Sequence, residues 1–331
     1  MTLQHWAAHQ ARWLLAAIAG ITGLAPCVTA QQQIDAKIEV LQVRANFYLI
    51  ARAGGNIGVQ IGKNGAVVVD SGSAQVAERV LAEIRKLTDG PIRFIINTSA
   101  DADHVGGNQT LSEAGVNLLQ SNNQFNANNN GHAAILAHDN VMFRMSAPTG
   151  QPSPYPTAAQ PSETYSDNKH NLFLNGEGIE TFYEPAAHTD GDSIVLFRRS
   201  DVIMAGDIFD LRQFPVIDTE RGGSVQGELA ALNQILDLAI PEGPLVYQEG
   251  GTIVVPGHGR LCDQADVLEY RDMVTIVRDV IQSFIKKGMS LDQIKAADPT
   301  KPYRTRFGSD SGPWTTDKFV DAVYRSLTQK R

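Results

Sequence analysis

Four apolar runs in this chain end in an acid or an imidazole, and that recurrence narrows its fold more than any bulk property. Residues 67–69 (VVV) lead into Asp70, and 94–96 (FII) lead into NTSADADHVGGN at 97–108. Residues 202–204 (VIM) lead towards Gly206 and Asp207, and 253–255 (IVV) lead into Pro256, Gly257 and His258. Short β-branched runs bounded by glycine or asparagine read as strands. In layered α/β folds, ligands gather where strand ends open into loops. A fifth cluster, PAAHTDGDSIVLF, sets His188 just ahead of another strand. Aspartate with histidine is a donor set that holds zinc, manganese or iron, so a metal site explains the crowding better than surface charge.

The remaining pattern supplies two strand series, each followed by helices. Residues 38–43, 46–51, 57–61 and 66–69 predict an antiparallel meander, and apolar positions 76, 80, 81, 84 and 87 predict a helix over 74–87. A strand at 92–96 follows. The segments 121–131 and 147–163, rich in asparagine or proline, read as surface loops able to wall a site, flanking a helical stretch at 132–145. Strands at 172–174, 179–183, 193–198 and 202–205 precede an amphipathic helix at 224–240. A strand at 252–255 then leads to a long helix capped by Asp263 and stopped by Gly288, with further helices at 290–297 and 315–329. Strands then helices, twice over, predict two sheets covered on their outer faces.

At 331 residues and 43% hydrophobic, the chain can bury a sizeable core. Residues 1–30 read as a signal peptide: the apolar stretch 13–25 follows Arg12, and Val28-Thr29-Ala30 suits cleavage before Gln31. The stretch is short for a membrane anchor. Cys27 raises a lipoprotein alternative, which Pro26 disfavours. Residues 31–331 are then expected as a single exported domain, periplasmic or secreted, with C-terminal helices and no stable membrane insertion. Losing Arg12 moves the net charge from −8 to −9, and no basic block remains to suggest nucleic acid. Cys262 would be the one remaining cysteine, expected as a quiet buried thiol.

NTSADADHVGGN, PAAHTDGDSIV, AGDIF and VPGHG follow one another in the order and at about the spacings of the metallo-β-lactamase superfamily, whose first motif is normally HxHxDH. GGNIGVQIGKNGAVVVDSG also resembles that family's N-terminal strands and structural aspartate. The resemblance implies an α/β fold, a four-layer αββα sandwich. It implies that Asp103, His104 and His258 form the second metal subsite, that Asp207 supplies a carboxylate to one or both metals, and that His188 is the third histidine of the first subsite. The two leading histidines of HxHxDH are replaced by Ser99 and Asp101. Asp101 is then a carboxylate candidate for the first subsite, Ser99 a weak neutral oxygen, and Asp70 a support behind the ligands.

Exchanging imidazole for carboxylate hardens the first subsite, which favours manganese, iron or no ion there. The preferred expectation is one ion at Asp103, His104, Asp207 and His258, with one or two zinc ions as the cofactor and manganese or iron as alternatives. Such an ion acidifies bound water to hydroxide and polarises the bond under attack, with Asp103 or Asp101 orienting the water or moving its proton. The expected activity is hydrolysis of a small ester, lactone, amide or phosphoester. Two other readings stand beside it, a ligand-binding member without turnover and an iron-containing redox protein. His132, His138 and His170 match no family ligand, and Ser99 lacks the GxSxG setting of a nucleophile. Substrate and oligomeric state are not encoded in any of these features.

Overall fold

A computed structural model describes residues 37–118, 131–148, 150–243 and 250–329. The leader, Cys27 and nearly all of the 121–131 segment lie outside the described residues. One sheet holds seven strands in chain order: β1 (Glu39–Arg44), β2 (Phe47–Ala53), β3 (Gly55–Gly62), β4 (Gly65–Val69), β5 (Ile92–Ile96), β6 (Ala134–His138) and β7 (Glu163–Tyr165). β1 to β4 pair antiparallel, as the meander predicts, and β4 to β7 pair parallel. The second sheet runs β12 (Ile253–His258), β11 (Val202–Asp210), β10 (Asp192–Phe197), β9 (Glu177–Glu184) and β8 (Lys169–Leu174). In it only the β11–β12 pair is parallel.

Alternation along the strands makes the layers. In β4, Val67 and Val69 enter the core between the sheets, whereas Ala66 and Val68 face a helical layer. In β10, Val195 and Phe197 face the other sheet, and Ile194 and Leu196 face outward. Helix α1 (Ala77–Leu87) covers the first sheet with Val80, Leu81 and Ile84. Two short helices come after β5, α2 (Ala102–Val105) inside the NTSADADHVGGN stretch and α3 (Asn108–Glu113) starting at its last residue. The second sheet is covered by α5 (Val225–Leu238), α6 (Gln264–Lys286) and α9 (Thr316–Thr328), through Leu232, Val274 and Phe319 among others. Between these lie α4 (Asp139–Met145), α7 (Leu291–Ala296) and α8 (Arg304–Phe307). The result is the αββα sandwich. Among the described residues no helix is long and apolar enough to cross a membrane.

Two local expectations need correction. The stretch 132–145 is a strand and then a helix, β6 and α4. β6 is fully buried between two parallel neighbours, so its continuous apolar run carries no period that separates strand from helix. β11 continues through Asp207 to Asp210, so Asp207 lies within a strand and not at its end. The register there breaks between Met204 and Gly206 and again before Asp210, which keeps the ladder going past an irregular segment. The ends of α6 agree with expectation: Asp263 and Asp266 form a capping box, and Gly288 takes the left-handed φ of 77° that ends the run. Cys262 is buried against β12, and burial pushes its thiol up to about 12.

One buried acid in the helical layer lacks a hydrogen-bond partner among the described residues. Glu228 of α5 is fully buried, and neither carboxyl oxygen makes a hydrogen bond among the described residues. Burial, followed by the charge of Asp192, holds its pKa well above 4.5. The folded state therefore keeps a proton that the unfolded chain releases. Stability from this group is complete below about pH 4.5 and declines as pH rises towards the folded pKa, by up to about 1.4 kcal/mol per pH unit. Glu228→Gln should flatten that decline in urea unfolding measured from pH 4 to pH 9, and an unchanged slope would refute the assignment.

Candidate metal centre

NTSADADHVGGN is closed on itself. Its first and last residues, both buried, exchange amide hydrogen bonds: Asn97 Nδ2 donates to Asn108 Oδ1 at 3.1 Å, and Asn108 Nδ2 donates to Asn97 Oδ1 at 2.8 Å. The loop between them leaves β5, turns at Asp101 and enters α2, which carries Asp103 and His104 on consecutive positions. Ser99 is buried and accepts a hydrogen bond from the Asp101 backbone N–H at 3.2 Å, shaping that turn.

His104 is held from behind. Asp70 adopts a left-handed φ of 62° at the end of β4, and its Oδ1 accepts from the Thr98 N–H at 2.8 Å. Its Oδ2 accepts from Thr98 Oγ1 at 2.8 Å and lies 2.7 Å from His104 Nδ1. With Nδ1 committed to Asp70, His104 presents Nε2 forward, the carboxylate–histidine arrangement that orients metal ligands. Nε2 lies 3.1 Å from Asp207 Oδ1.

The other half comes from the parallel pair β11 and β12. Gly206 has a φ of 54°, and the backbone irregularity there brings Asp207 inward. A Cβ on Gly257 would stand 2.3 Å from Asp207 Oδ1, so only glycine leaves room for that carboxylate. His258, at the end of β12, places Nε2 3.2 Å from Asp103 Oδ2 and 3.3 Å from Asp207 Oδ1. Asn56 ties β3 to this corner by donating to the carbonyls of Pro256 and Gly259 at 2.9 and 3.1 Å.

Four side chains thus converge. Asp103, His104, Asp207 and His258 bring one ligand atom each within 4.8 Å of one another. Asp101, His188 and Asp207 form a second group on the same limit, sharing Asp207. The histidine of this second group is fully buried, with Nδ1 3.4 Å from Asp192 Oδ1 and 3.6 Å from Asp101 Oδ2 and no hydrogen bond. Of the remaining histidines expected as non-ligands, His132, His138 and His170, none enters either group among the described residues, and His138 stacks on Tyr183 instead.

Charge follows geometry. Burial opposes the charged form of Asp207, yet His104, His258 and His188 hold its carboxyl far below the usual range. Burial likewise opposes imidazolium at His104, but Asp207 and Asp70 raise its pKa well above the ordinary value. Asp103 is lowered too: burial works against it, and the hydrogen bond from His258 and the charge of His104 outweigh that cost. A site with this bias favours positive charge among its carboxylates, and protons and a divalent cation compete for the same atoms. Two imidazole nitrogens and two carboxylates are a donor set that zinc accepts. The residues fit a metal.

Two contributors were not foreseen. Arg221 donates from Nη1 to Asp101 Oδ1 at 2.7 Å, and Asp192 stands behind His188. A cavity of about 530 Å³ is lined by Asp103 together with Ala102, Gly106, Gln109, Tyr155, Pro156 and Ala159 among others. The last three belong to the proline-rich segment read as a loop able to wall a site, and Tyr155 Oη is anchored on the Ala100 carbonyl at 3.1 Å. Neither Arg221 in DTERGG nor Asp192 in HTDGDS carries a spacing signal beyond lying near a histidine or a turn.

A family profile described as the Metallo-beta-lactamase superfamily matches residues 50–258, which hold every residue of both groups. The chain belongs to the metallo-beta-lactamase superfamily. Among solved structures, it is similar to the stereoselective inverting sec-alkylsulfatase Pisa1 from Pseudomonas sp., with a TM-score of 0.61 and 13% identity over 88% of this chain and 50% of that one. It is also similar to a metallo-beta-lactamase from Pontibacter korlensis (TM-score 0.53, 15% identity, 72% of this chain and 99% of that one). The DIM-1 metallo-beta-lactamase gives a TM-score of 0.52 at 19% identity, over 72% of this chain and 98% of that one. The chain spans half the length of the alkylsulfatase. A search of curated proteins found no significant match. At such identities the likeness establishes the superfamily fold and no substrate.

Asp70→Asn keeps a residue that tolerates the left-handed backbone but removes the carboxylate behind His104. Ion retention measured by competition with a chelator should weaken roughly 10- to 100-fold. Unchanged retention, with the fold intact, would reduce Asp70 to a turn residue.

Proposed function

We propose that this member of the metallo-beta-lactamase superfamily is a hydrolase that holds one divalent ion, zinc by preference, between Asp103, His104, Asp207 and His258. The observation that supports this most is the meeting of those four side chains from α2, β11 and β12 within 4.8 Å, with Asp70 fixing the ring of His104. Held there, an ion supplies Lewis acidity for polarising a carbonyl or phosphoryl oxygen and for acidifying water.

The protein's own groups do the rest. Asp103 is the most exposed of the four and lines the 530 Å³ cavity, so its carboxylate is the group placed to orient an attacking water and accept its proton. The wall of Tyr155, Pro156 and Ala159 is apolar for the most part, and Gln75, Gln109 and Thr110 offer neutral hydrogen-bonding groups. Asp103 is the single charged residue of that lining among the described residues. A small neutral ester, lactone or amide suits this cavity better than a polyanion, because the charge on its wall among the described residues is a carboxylate.

The test is metal content by elemental mass spectrometry on protein purified without chelator, alongside hydrolysis of a panel of small esters and lactones. One ion per chain is expected, lost in Asp103→Ala and His258→Ala together with turnover. Full turnover in chelator-treated, metal-free protein would end the proposal.

A further inference from the structure

The second histidine-and-acid group differs from the first because a permanent cation already sits on it. Arg221 Nη1 donates to Asp101 Oδ1 at 2.7 Å, while Nε donates to Asp218 Oδ2 at 2.7 Å. A guanidinium stays charged at any pH a folded protein meets. Its position is built. Arg221 ends the short 3-10 turn Thr219–Arg221, closed by Gly222 at a left-handed φ of 90°, and Asp218 caps that turn by accepting from the Glu220 and Arg221 N–H groups at 3.0 Å each. The same turn is stitched to the segment that carries His188. The Asp218 N–H donates to the His188 carbonyl at 2.9 Å, and the Asp190 N–H donates to the Arg221 carbonyl at 2.9 Å.

We propose that Arg221 is an internal replacement for a second metal ion: its guanidinium takes up the charge of Asp101 and so keeps the Asp101, His188 and Asp207 group from accepting a divalent cation. The inference rests on the metal centre proposed above. An ion entering this group would have to compete with the guanidinium for Asp101 and would then stand beside a like charge it cannot deprotonate. Ser99, buried and engaged with the Asp101 backbone, adds only a neutral oxygen nearby. Asp101 thus serves as an anchor for arginine, in a position where the family motif normally has a metal-binding histidine. Asp207, the ligand common to both groups, is left to a single ion.

Removing the guanidinium while leaving all three candidate ligands in place tests this directly. The full chain and its Arg221→Gln and Arg221→Lys variants are dialysed to equilibrium against zinc, and bound metal per chain is read by elemental mass spectrometry. The unaltered protein should carry one zinc, Arg221→Gln two, and Arg221→Lys one, because lysine keeps the charge. One zinc in both the unaltered protein and Arg221→Gln would overturn the role of Arg221 and leave the metal centre standing. Two zinc ions in the unaltered protein would overturn it as well. No zinc in the unaltered protein would remove the metal centre, and the inference with it. If Arg221→Gln does not fold, as judged by thermal unfolding, Arg221→Met removes the same charge while keeping a long side chain at this place. It should raise the count above one, and a count that stays at one would again refute the proposal.

Discussion

The contact on which the site depends is the 2.7 Å approach of Asp70 to His104. Both side chains are buried, so neither can exchange its partner for water without opening the corner where β4, β5 and α2 meet. Asp70 reaches this place because its backbone turns left-handed straight after β4, while its own N–H still donates to Ile96 at the end of β5. The carboxylate is then saturated by Thr98 on one side and His104 on the other. Strand pairing, the loop after β5 and the direction of an imidazole are coupled through one side chain.

That coupling explains how ligands from distant segments meet without a disulfide or a long rigid loop. The meander fixes β4, parallel pairing fixes β5 beside it, and the core between the sheets sets β11 and β12 at the same edge. Glycine is required where the second sheet enters the site. Gly206 passes close to Thr98, where a Cβ would lie 2.7 Å from the hydroxyl that serves Asp70, and Gly257 leaves room for Asp207. The two sheets are joined at the site through the Ser193 N–H, which donates to the Thr98 carbonyl at 2.8 Å, and through Asn56, as well as through the candidate ligands themselves.

Much of this was legible in the chain because strand ends and ligand residues coincide in sequence. The VVVD, PGHG and NTSADADH stretches each announce a strand and a polar group at its mouth, and the superfamily order of the motifs places them on one edge. Where buried strands have no alternation, the signal fails, as it did for β6. It fails again where a strand carries on through an irregular register, as β11 does beyond Gly206. Arg221 was invisible for a different reason. It lies 120 residues from Asp101, in a turn whose own capping accounts for its local sequence, so nothing nearby points to the carboxylate it meets.

Asp101 puts a second carboxylate beside Asp207, itself shared by both groups, and with it an excess of negative charge. The structure resolves that imbalance without reorganising the fold. Ser99 turns its hydroxyl to the Asp101 backbone, and one carboxylate oxygen of Asp101 meets an arginine fixed by Asp218. His188 stays buried between Asp101 and Asp192, its imidazole raised to about 10: burial pulls against the charge, and Asp192, Asp207 and Asp101 together prevail. Charge near Asp207 is thus compensated from the protein's own side chains on one flank. The other flank keeps two imidazole nitrogens, an oriented ring and the Asp103 carboxylate that lines the cavity, a donor set that zinc accepts. On the reading proposed above, the asymmetry between the flanks is a division of labour, one half balanced internally and the other left available to an ion and a substrate.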